Sequence, residues 1–232
     1  MSGGFSVIVP TYNEEKILAA NVRRLMKFLN RLRAPYEIIV SDNGSTDGTA
    51  KIANRLAEEF PKKVKLVRLP ERGVGYAFKA AVKAARYDKL VSIDADLATD
   101  LGFVRKCVRL LETHGIVVGS KIGGSQKRPL LRKILSGGFI LLTRALLGIR
   151  LTDHSIGAKG YRRKDILPFM ADVDAGSFYV TALVYRISKS GRSFVEIPVM
   201  CEDTRPSKFI LWQEVFYRFN SLLMFWLREK IM

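Results

Sequence analysis

The sequence is poor in cysteine, in long apolar runs and in linker-like segments. Its only cysteines, Cys107 and Cys201, lie far apart and in no metal-ligand spacing, so we expect no disulfide framework and a reducing compartment. No stretch reaches the roughly 18 uninterrupted apolar residues that a membrane-spanning helix needs. No secretory signal pattern precedes the first predicted strand. Without an internal repeat or a low-complexity linker, we expect one α/β domain that does not span a membrane.

Acidic residues are also scarce. The chain has 39 Lys and Arg against 22 Asp and Glu, a formal net charge of +17, and residues 121–150 contain no acidic residue. Such a surplus favours polyanionic partners: nucleic acid, anionic lipid headgroups or phosphorylated small molecules.

The first half of the chain alternates between strand and helix patterns. Short apolar runs predict strands, and amphipathic segments between them predict helices. The predicted strands cover residues 5–9, 36–41, 64–69 and 89–93, and the predicted helices cover residues 14–32, 47–59 and 75–86. This alternation indicates a mostly parallel sheet covered by helices.

Two carboxylates, Asp94 and Asp96, directly follow the fourth predicted strand. Ligands of open α/β sheets bind outside the carboxyl ends of the strands, and carboxylate oxygens suit a hard divalent cation that also binds phosphate. In isolation this pair also fits a solvated turn. Its interpretation therefore depends on what the neighbouring loops contain.

Three other loops should reach the same edge of the sheet. They are rich in glycine and small polar residues and lead into helices, which favours the binding of anions and ligand hydroxyls. These loops cover residues 9–15, 41–49 and 71–75. Together with the Asp pair, they predict a site for a nucleotide diphosphate and a metal ion.

The motifs Val-Pro-Thr-Tyr-Asn-Glu-Glu, Ser-Asp-Asn-Gly-Ser-Thr-Asp-Gly-Thr, Arg-Gly-Val-Gly and Asp-Ala-Asp resemble those of family-2 glycosyltransferases. The sequence is most similar to dolichyl-phosphate mannose synthases and their glucosyltransferase relatives. The resemblance implies the Rossmann-like GT-A fold, with helices on both faces of its sheet, and Mg²⁺ or Mn²⁺ held by Asp94 and Asp96. The nucleotide-binding residues that it implies are Pro10, Tyr12, Glu14, Asp42, Arg72 and Gly73.

The second half of the chain adds to this resemblance. Arg132 and Ser136 match a pair that receives the lipid phosphate in the family, and their i, i+4 spacing puts both on one helix face. Thr152 to Gly157 resembles the family's Thr-Asp-x-x-x-Gly segment. The acceptor-phosphate residues that the resemblance implies are Lys121, Arg132, Ser136, Arg205 and Lys208.

A phosphate acceptor and a hydroxyl acceptor need different groups. A hydroxyl needs a general base, whereas a lipid phosphate is already an anion and needs cations. No Asp or Glu occurs from Ala175 to Gly191, where hydroxyl-acceptor relatives usually carry an acid. Cations are available at Lys121, Arg132, Lys159, Arg162 and Arg205. This favours polyprenyl phosphate, with Asp153 as the remaining candidate base and a catalytic residue beside Asp94 and Asp96.

Alternatives stay open for the acceptor and for the donor. The acceptor could be a glycan or glycolipid hydroxyl, and a basic module that binds nucleic acid or membrane is a more distant alternative. The Asp pair argues against nucleic acid. The family likeness favours GDP-mannose as donor, but Ala98 and Thr99 look more like the glucosyltransferases that use UDP-glucose. Lys121 replaces a usual Arg and loses the bidentate fork.

Two segments combine apolar or aromatic residues with basic ones. They are a predicted helix at about 128–150 and a C-terminal helix at 205–232, which follows a predicted catalytic domain of residues 1–204. The pattern is typical of amphipathic helices that lie on a membrane, and packing against the sheet or a homodimer partner is the alternative. We expect a peripheral protein on the cytoplasmic face of a membrane.

Overall fold

The structure is a computed structural model, and it describes residues 3–121, 130–154, 156–200 and 211–231, without the side chains of 130–133 and 211. The strands are β1 Phe5–Thr11, β2 Tyr36–Asn43, β3 Val64–Leu69, β4 Lys89–Ser92, β5 Ile116–Ser120, β6 Lys159–Arg162 and β7 Phe194–Pro198. The α-helices are α1 Leu18–Asn30, α2 Thr49–Glu59, α3 Val74–Ala84, α4 Gly102–Leu110, α5 Leu130–Leu147, α6 Arg163–Ile166, α7 Tyr179–Lys189 and α8 Leu211–Ile231. A 3-10 helix, Leu167–Asp172, follows α6.

The strands within the described ranges form one sheet in the order β3-β2-β1-β4-β6-β5-β7. Neighbouring strands are parallel except at β6, which is antiparallel to both β4 and β5. The predicted mostly parallel sheet is therefore confirmed. Since β6 runs in reverse, the segment that precedes it lies at the edge where β1, β2 and β4 end.

The centre of the sheet forms the core. Val7, Ile8, Ile38 and Ile39 have no exposed surface, as expected for parallel strands that are covered on both faces. β1 and β2 run two residues past their predicted ends, because their parallel pairing continues through Thr11 and Asp42. The residues that end these strands are polar, a pattern typical of loops, and the sequence therefore predicts shorter strands.

The first helix begins at Leu18, four residues later than predicted. Residues 13–15 instead bond to the loop after β2: the amide of Glu14 donates to Thr49 Oγ1 at 2.7 Å, and the amide of Gly48 donates to Glu15 Oε2 at 2.8 Å. These tertiary contacts outweigh the helix propensity of the two glutamates.

Helices α5 and α8 pack together. Phe219 of α8 meets Phe139 of α5 edge to face at 5.6 Å, and Leu222 and Phe225 of α8 are buried. Other large apolar side chains are exposed on both helices: Ile134, Leu141 and Leu142 on α5, and Trp212, Phe216, Leu223, Met224, Leu227 and Ile231 on α8. Among the described helices, none combines the length and the apolar character that crossing a membrane requires. The predicted domain boundary at residues 204 and 205 lies outside the described residues.

Candidate active site

The loops after β1 and β2 are bonded to each other. Asn13 has a left-handed backbone, with φ of 53°, a conformation that asparagine adopts more readily than most residues. Its amide donates to Ser45 Oγ at 3.0 Å, and its Oδ1 accepts from the amide of Thr46 at 2.9 Å. The predicted nucleotide-binding residues Tyr12 and Glu14 flank Asn13 and are therefore held against the second loop.

The loop after β3 is attached to the same unit. Asn43 is buried, and its Oδ1 accepts from the amide of Gly73 at 2.6 Å. Gly44 has φ of +70°, and a Cβ there would lie 2.7 Å from the carbonyl carbon of Glu71. Both the backbone conformation and the close approach require glycine. The structure thus brings the three predicted loops together at one edge.

Two features of these loops suit a nucleoside. The Arg72 guanidinium lies 4.4 Å from the centre of the Tyr12 ring, which forms a flat cationic and aromatic surface. Asp42 is fully buried, and its Oδ1 accepts from the amide of Ser45 at 3.2 Å. No described residue donates a hydrogen bond to its Oδ2, which forms an ion pair with Arg68 Nε at 3.5 Å. Because this ion pair is long for a hydrogen bond and the carboxylate is buried, a ligand N–H would be a suitable further partner for Oδ2.

The Asp94-Ala95-Asp96 turn presents its carboxylates by alternation. Ala95 and Leu97 are buried, while Asp94 and Asp96 are partly exposed. The amide of Leu97 donates to the Asp94 carbonyl oxygen at 3.0 Å, and the amide of Ala98 donates to Asp96 Oδ1 at 3.0 Å. Leu97 has φ of 53°, a conformation that costs a leucine about 1–2 kcal/mol. The turn is thus held in a specific and strained geometry.

The first residue of β6 brings a positive charge close to Asp94. Lys159 is buried, and its ammonium donates to the carbonyl oxygen of Ile156. Burial lowers the pKa of Lys159 to about 8, against the opposing attraction of Asp94 and Asp153. The sequence had offered Lys159 only as one cation among several.

Asp153 and His154 occupy different environments. Asp153 Oδ1 accepts from the amide of Ile156 at 3.1 Å, and the Asp153 amide donates to Glu196 Oε1 at 3.2 Å. His154 is buried; its Nδ1 lies 2.8 Å from Thr181 Oγ1, and Phe139 meets its ring at 5.1 Å. Burial lowers the pKa of His154 to about 3. His154 is therefore a neutral link between α5 and α7.

These residues can be compared with known proteins. The model of "Glycosyl transferase family 2" matches residues 6–167, which include the three loops, the Asp pair and the segment before β6. The chain belongs to glycosyltransferase family 2.

Curated relatives of this glycosyltransferase have related names. "Undecaprenyl-phosphate mannosyltransferase" of Micrococcus luteus is 30% identical over 202 residues, which cover 83% of this chain and 81% of the relative. "Dolichyl-phosphate beta-glucosyltransferase" of Dictyostelium discoideum is 35% identical and covers 68% of this chain and 54% of its own length. "Glycosyltransferase AglD" of Haloferax volcanii is 30% identical over 95% of this chain, which spans only 36% of that protein.

Solved structures show the fold. Mannosyl-3-phosphoglycerate synthase from Rubrobacter xylanophilus has a TM-score of 0.71 at 13% identity and covers 99% of this chain and 75% of its own. Glucosyl-3-phosphoglycerate synthase from Mycobacterium tuberculosis, crystallised with Mn²⁺, UDP-glucose and phosphoglyceric acid, has a TM-score of 0.66 at 21% identity; the match covers 96% of this chain and 79% of that one. The GT-A fold predicted for this glycosyltransferase is confirmed.

The donor set fits a metal ion that substrate phosphates help to hold. Among the described residues, no group of three or more His, Cys, Asp and Glu side chains could hold a metal. Asp94 and Asp96 provide two carboxylates, which matches the way Mg²⁺ is usually bound, through one or two carboxylates, waters and phosphate oxygens.

The predicted acceptor residues are only partly described. Lys121 follows β5 and is partly exposed, and Ser136 lies exposed on α5. Arg132 lies one turn before Ser136 in α5, but its side chain is outside the described residues, as are Arg205 and Lys208. Arg162 was wrongly placed among the acceptor cations. It pairs in register with Lys89 at the start of β4, so it lies at the opposite edge of the sheet.

Helix α8 contributes groups that the sequence interpretation missed. Arg218 Nε donates to Ser177 Oγ at 3.1 Å and to Glu214 Oε1 at 2.7 Å. The Tyr217 hydroxyl donates to Asp174, 2.6 Å from its Oδ2. The segment 174–178 therefore lies between α8 and the start of α3, where the amide of Gly75 donates to the Ala175 carbonyl oxygen at 3.2 Å.

These contacts qualify one inference from the sequence. Although no acid occurs from 175 to 191, the fold brings Glu214 from α8 to Ser177. Arg218 pairs with this carboxylate and neutralises it. Three polar residues at helical spacing within an aromatic segment, Glu214, Tyr217 and Arg218, were the available signal.

Proposed function

We propose that this glycosyltransferase moves a hexose from a nucleotide sugar to a polyprenyl phosphate with inversion at the anomeric carbon. The main supporting observation is that the predicted nucleotide-binding loops and the Asp94 and Asp96 carboxylates lie at the same edge of the sheet. Tyr12, Asp42 and Arg72 bind the nucleoside, and Asp94 and Asp96 hold a divalent metal against the diphosphate. The names of the two polyprenyl-phosphate relatives support the acceptor class.

The chemistry needs few groups from the protein. An oxygen of the lipid phosphate forms the new bond to the anomeric carbon, and the bond from that carbon to the nucleoside diphosphate breaks with its electron pair on the diphosphate. The bound metal supplies electrostatic stabilisation of this leaving group. Because the attacking phosphate carries no proton, no general base is needed, and Asp153 has a base role only with a hydroxyl acceptor.

The acceptor phosphate needs cations. Lys121 follows β5, at the same edge of the sheet as Asp94 and Asp96. The positive charges of Arg218 and Lys121 both contribute to lowering the pKa of the buried Lys159. We place Lys121 at the acceptor phosphate, together with Arg132, Ser136, Arg205 and Lys208 as the resemblance implies. The pairing of Glu214 with Arg218 argues against Glu214 as a free base.

GDP-mannose is the proposed donor, and UDP-glucose is the second candidate. The mannosyltransferase relative matches over most of both chains, whereas Ala98 and Thr99 favour the glucosyltransferase alternative. Guanine and uracil can each donate an N–H to Asp42 Oδ2, so this carboxylate does not distinguish the two donors. The metal is Mg²⁺ or Mn²⁺.

One assay tests donor and acceptor together. Radiolabelled GDP-mannose and UDP-glucose are each incubated with dolichyl phosphate, undecaprenyl phosphate or free sugars, with Mg²⁺, with Mn²⁺ or with excess chelator. We expect label in the lipid phase from one donor only, and none with chelator. Label found only in free sugars would support the hydroxyl-acceptor alternative, and full transfer in chelator would contradict the metal.

We further propose that α5 and α8 lie on the membrane surface. Leu141 is 67% exposed and Phe216 is 74% exposed, and basic residues accompany them, including Arg144 and Lys230. Such a surface suits anionic lipid and brings the enzyme to a lipid acceptor.

Cosedimentation with anionic vesicles tests this placement. The double variant Leu141→Ser and Phe216→Ser should lose most vesicle binding, while it keeps transfer to a short, water-soluble polyprenyl phosphate. Unchanged vesicle binding, with conversion of a dimer to a monomer in solution, would instead identify the face as a homodimer contact.

A further inference from the structure

Gly157 lies opposite Asp94 in the sheet register. β4 and β6 pair antiparallel, and the described ladder joins Ser92 to Lys159. Continuing this register two residues beyond the ladder places Gly157 across from Asp94. Side chains of directly opposed residues lie on the same face of a sheet, so a side chain at position 157 would compete with the Asp94 carboxylate for one space.

The distances show how complete this competition is. An ideal Cβ on Gly157 would lie 2.0 Å from Asp94 Oδ1, 2.1 Å from Oδ2 and 2.2 Å from Cγ. Nonbonded carbon atoms pack best about 3.5–4.0 Å apart, so these distances leave no room for a Cβ. Gly157 is not among the glycines with a left-handed backbone. Glycine is therefore needed here for space and not for conformation.

The segment that contains Gly157 is held at several points. The amide of Ile156 donates to Asp153 Oδ1 at 3.1 Å, and the Lys159 ammonium donates to the Ile156 carbonyl oxygen. Behind it, Glu196 accepts from the amides of Thr152 and Asp153. Because these bonds resist retreat of the segment, a new side chain would displace the carboxylate of Asp94.

We propose that Gly157 is a positioning residue that sets the orientation of the Asp94 carboxylate toward the metal and the donor diphosphate. The inference rests on the proposed metal-dependent transfer. It gives a donor-site role to the segment before β6, whose Thr-Asp-x-x-x-Gly pattern by itself assigns no role to Gly157.

The variant Gly157→Ala tests this role by a direct binding measurement. Mn²⁺ is titrated by electron paramagnetic resonance with GDP or UDP present, whichever raises the melting temperature of the wild type. We expect Mn²⁺ affinity to fall about 10-fold and kcat/KM to fall about 100-fold, since a misplacement of about 1 Å can cost that much. Far-UV circular dichroism should remain that of the wild type.

Gly160→Ala is the matched control. Its Cβ would lie 2.0 Å from Cys107 Sγ, away from the carboxylates. We expect a lower melting temperature with wild-type Mn²⁺ affinity. Gly160→Ala would thus lower stability without changing metal binding, whereas Gly157→Ala would lower metal binding, although the two glycines are only three residues apart.

A double-mutant cycle isolates the contact between the two residues. With Asp94→Ala in place, Gly157→Ala should lower neither the melting temperature nor the residual Mn²⁺ affinity further, because the displaced carboxylate is gone. An equal loss in both backgrounds would overturn the positioning role.

The inference and the proposed function can fail separately. If Asp96→Ala loses Mn²⁺ affinity while Gly157→Ala keeps it, the role of Gly157 is wrong and the metal proposal stands. If Asp96→Ala keeps wild-type Mn²⁺ affinity, the metal proposal fails and the role of Gly157 fails with it.

Discussion

The loops after β1, β2 and β3 hold one another through hydrogen bonds between side chains and backbone, whereas α7 and α8 are joined by ion pairs and aromatic contacts. On the donor side, Asn13, Asn43 and Thr49 each bond to an amide of a neighbouring loop. On the other side, Arg186 makes two bonds to Glu229, at 2.8 and 2.7 Å, and one to Asp172 at 2.7 Å.

The difference shows how each side obtains its rigidity. The loops after β1, β2 and β3 are short and polar, so hydrogen bonds to backbone amides can fix their positions relative to one another. Helix α8 comes from the far end of the described chain, and its place depends on the burial of Leu222 and Phe225 and on the Arg186 network. We therefore expect the loss of a single polar contact to disturb the loops after β1, β2 and β3, and the loss of a charge to weaken the packing of α8.

The largest effect on activity is expected from a change in the Asp94 and Asp96 pair. Asp96→Asn removes a negative charge from the proposed metal and diphosphate site and should lower kcat about 10²–10³-fold, as loss of one electrostatic stabiliser does. The melting temperature should stay within about 2 °C of the wild type, because a partly exposed side chain contributes little to stability. Transfer assays and thermal melts measure both. Asp100→Asn is the control, and an active Asp96→Asn enzyme would contradict the metal site.

The next effect concerns the α8 network. Arg186→Ala leaves Asp172 and Glu229 without their shared cation and should lower the free energy of unfolding by about 1–3 kcal/mol, since these groups are largely buried. Urea denaturation measures this loss. The control is Arg23→Ala, which breaks an exposed pair with Glu59 and should cost less than about 0.5 kcal/mol. Equal losses in both variants would remove the proposed contrast between the two sides.

A smaller effect is expected at Asn43. Asn43→Ala leaves the amide of Gly73 unsatisfied and should cost about 1–2 kcal/mol, with an increase in KM for the nucleotide sugar that exceeds the change in kcat. Asn43→Asp keeps an acceptor oxygen and should restore KM. Denaturation and steady-state kinetics separate the two effects, and an unchanged KM in Asn43→Ala would show that this loop does not position the nucleotide.

The most gradual effect is the pH dependence from His154. Its pKa is about 3 in the folded protein and 6.5 ordinarily, so below pH 6.5 the unfolded chain takes up a proton that the folded chain does not. The contribution of neutral His154 to the free energy of unfolding is therefore fully present above pH 6.5. It is lost as the pH falls toward about 3, by at most about 1.4 kcal/mol per pH unit.

The variant His154→Gln tests this assignment. Its urea midpoint should vary less between pH 6.5 and 5 than that of the wild type, with His114→Gln as the control for loss of a histidine. A wild-type slope in His154→Gln would assign the pH dependence to other groups.

Much of the fold and of the arrangement of the candidate site was predictable because the signals are local. Strand length, apolar pattern and turn residues lie within a few positions of each other, and the carboxyl ends of parallel strands meet at one edge by geometry. The sequence therefore predicts that Asp42, Arg72 and the Asp pair share one edge of the sheet. The start of α1 was missed because bonds from Glu14 and Glu15 to a loop over 30 residues away override local propensity.

The sequence by itself determined the alternating α/β framework, the donor loops and the carboxylate pair, since these follow from patterns that a short segment carries. Only the tertiary structure decided that β6 runs antiparallel between β4 and β5. This reversal moved Arg162 to the far edge and placed Gly157 against Asp94. It also decided that α8 supplies Arg218 and Glu214 beside Ser177. Strand direction and helix docking depend on contacts between residues far apart in the chain, and these are settled by burial of the whole core rather than by any one segment.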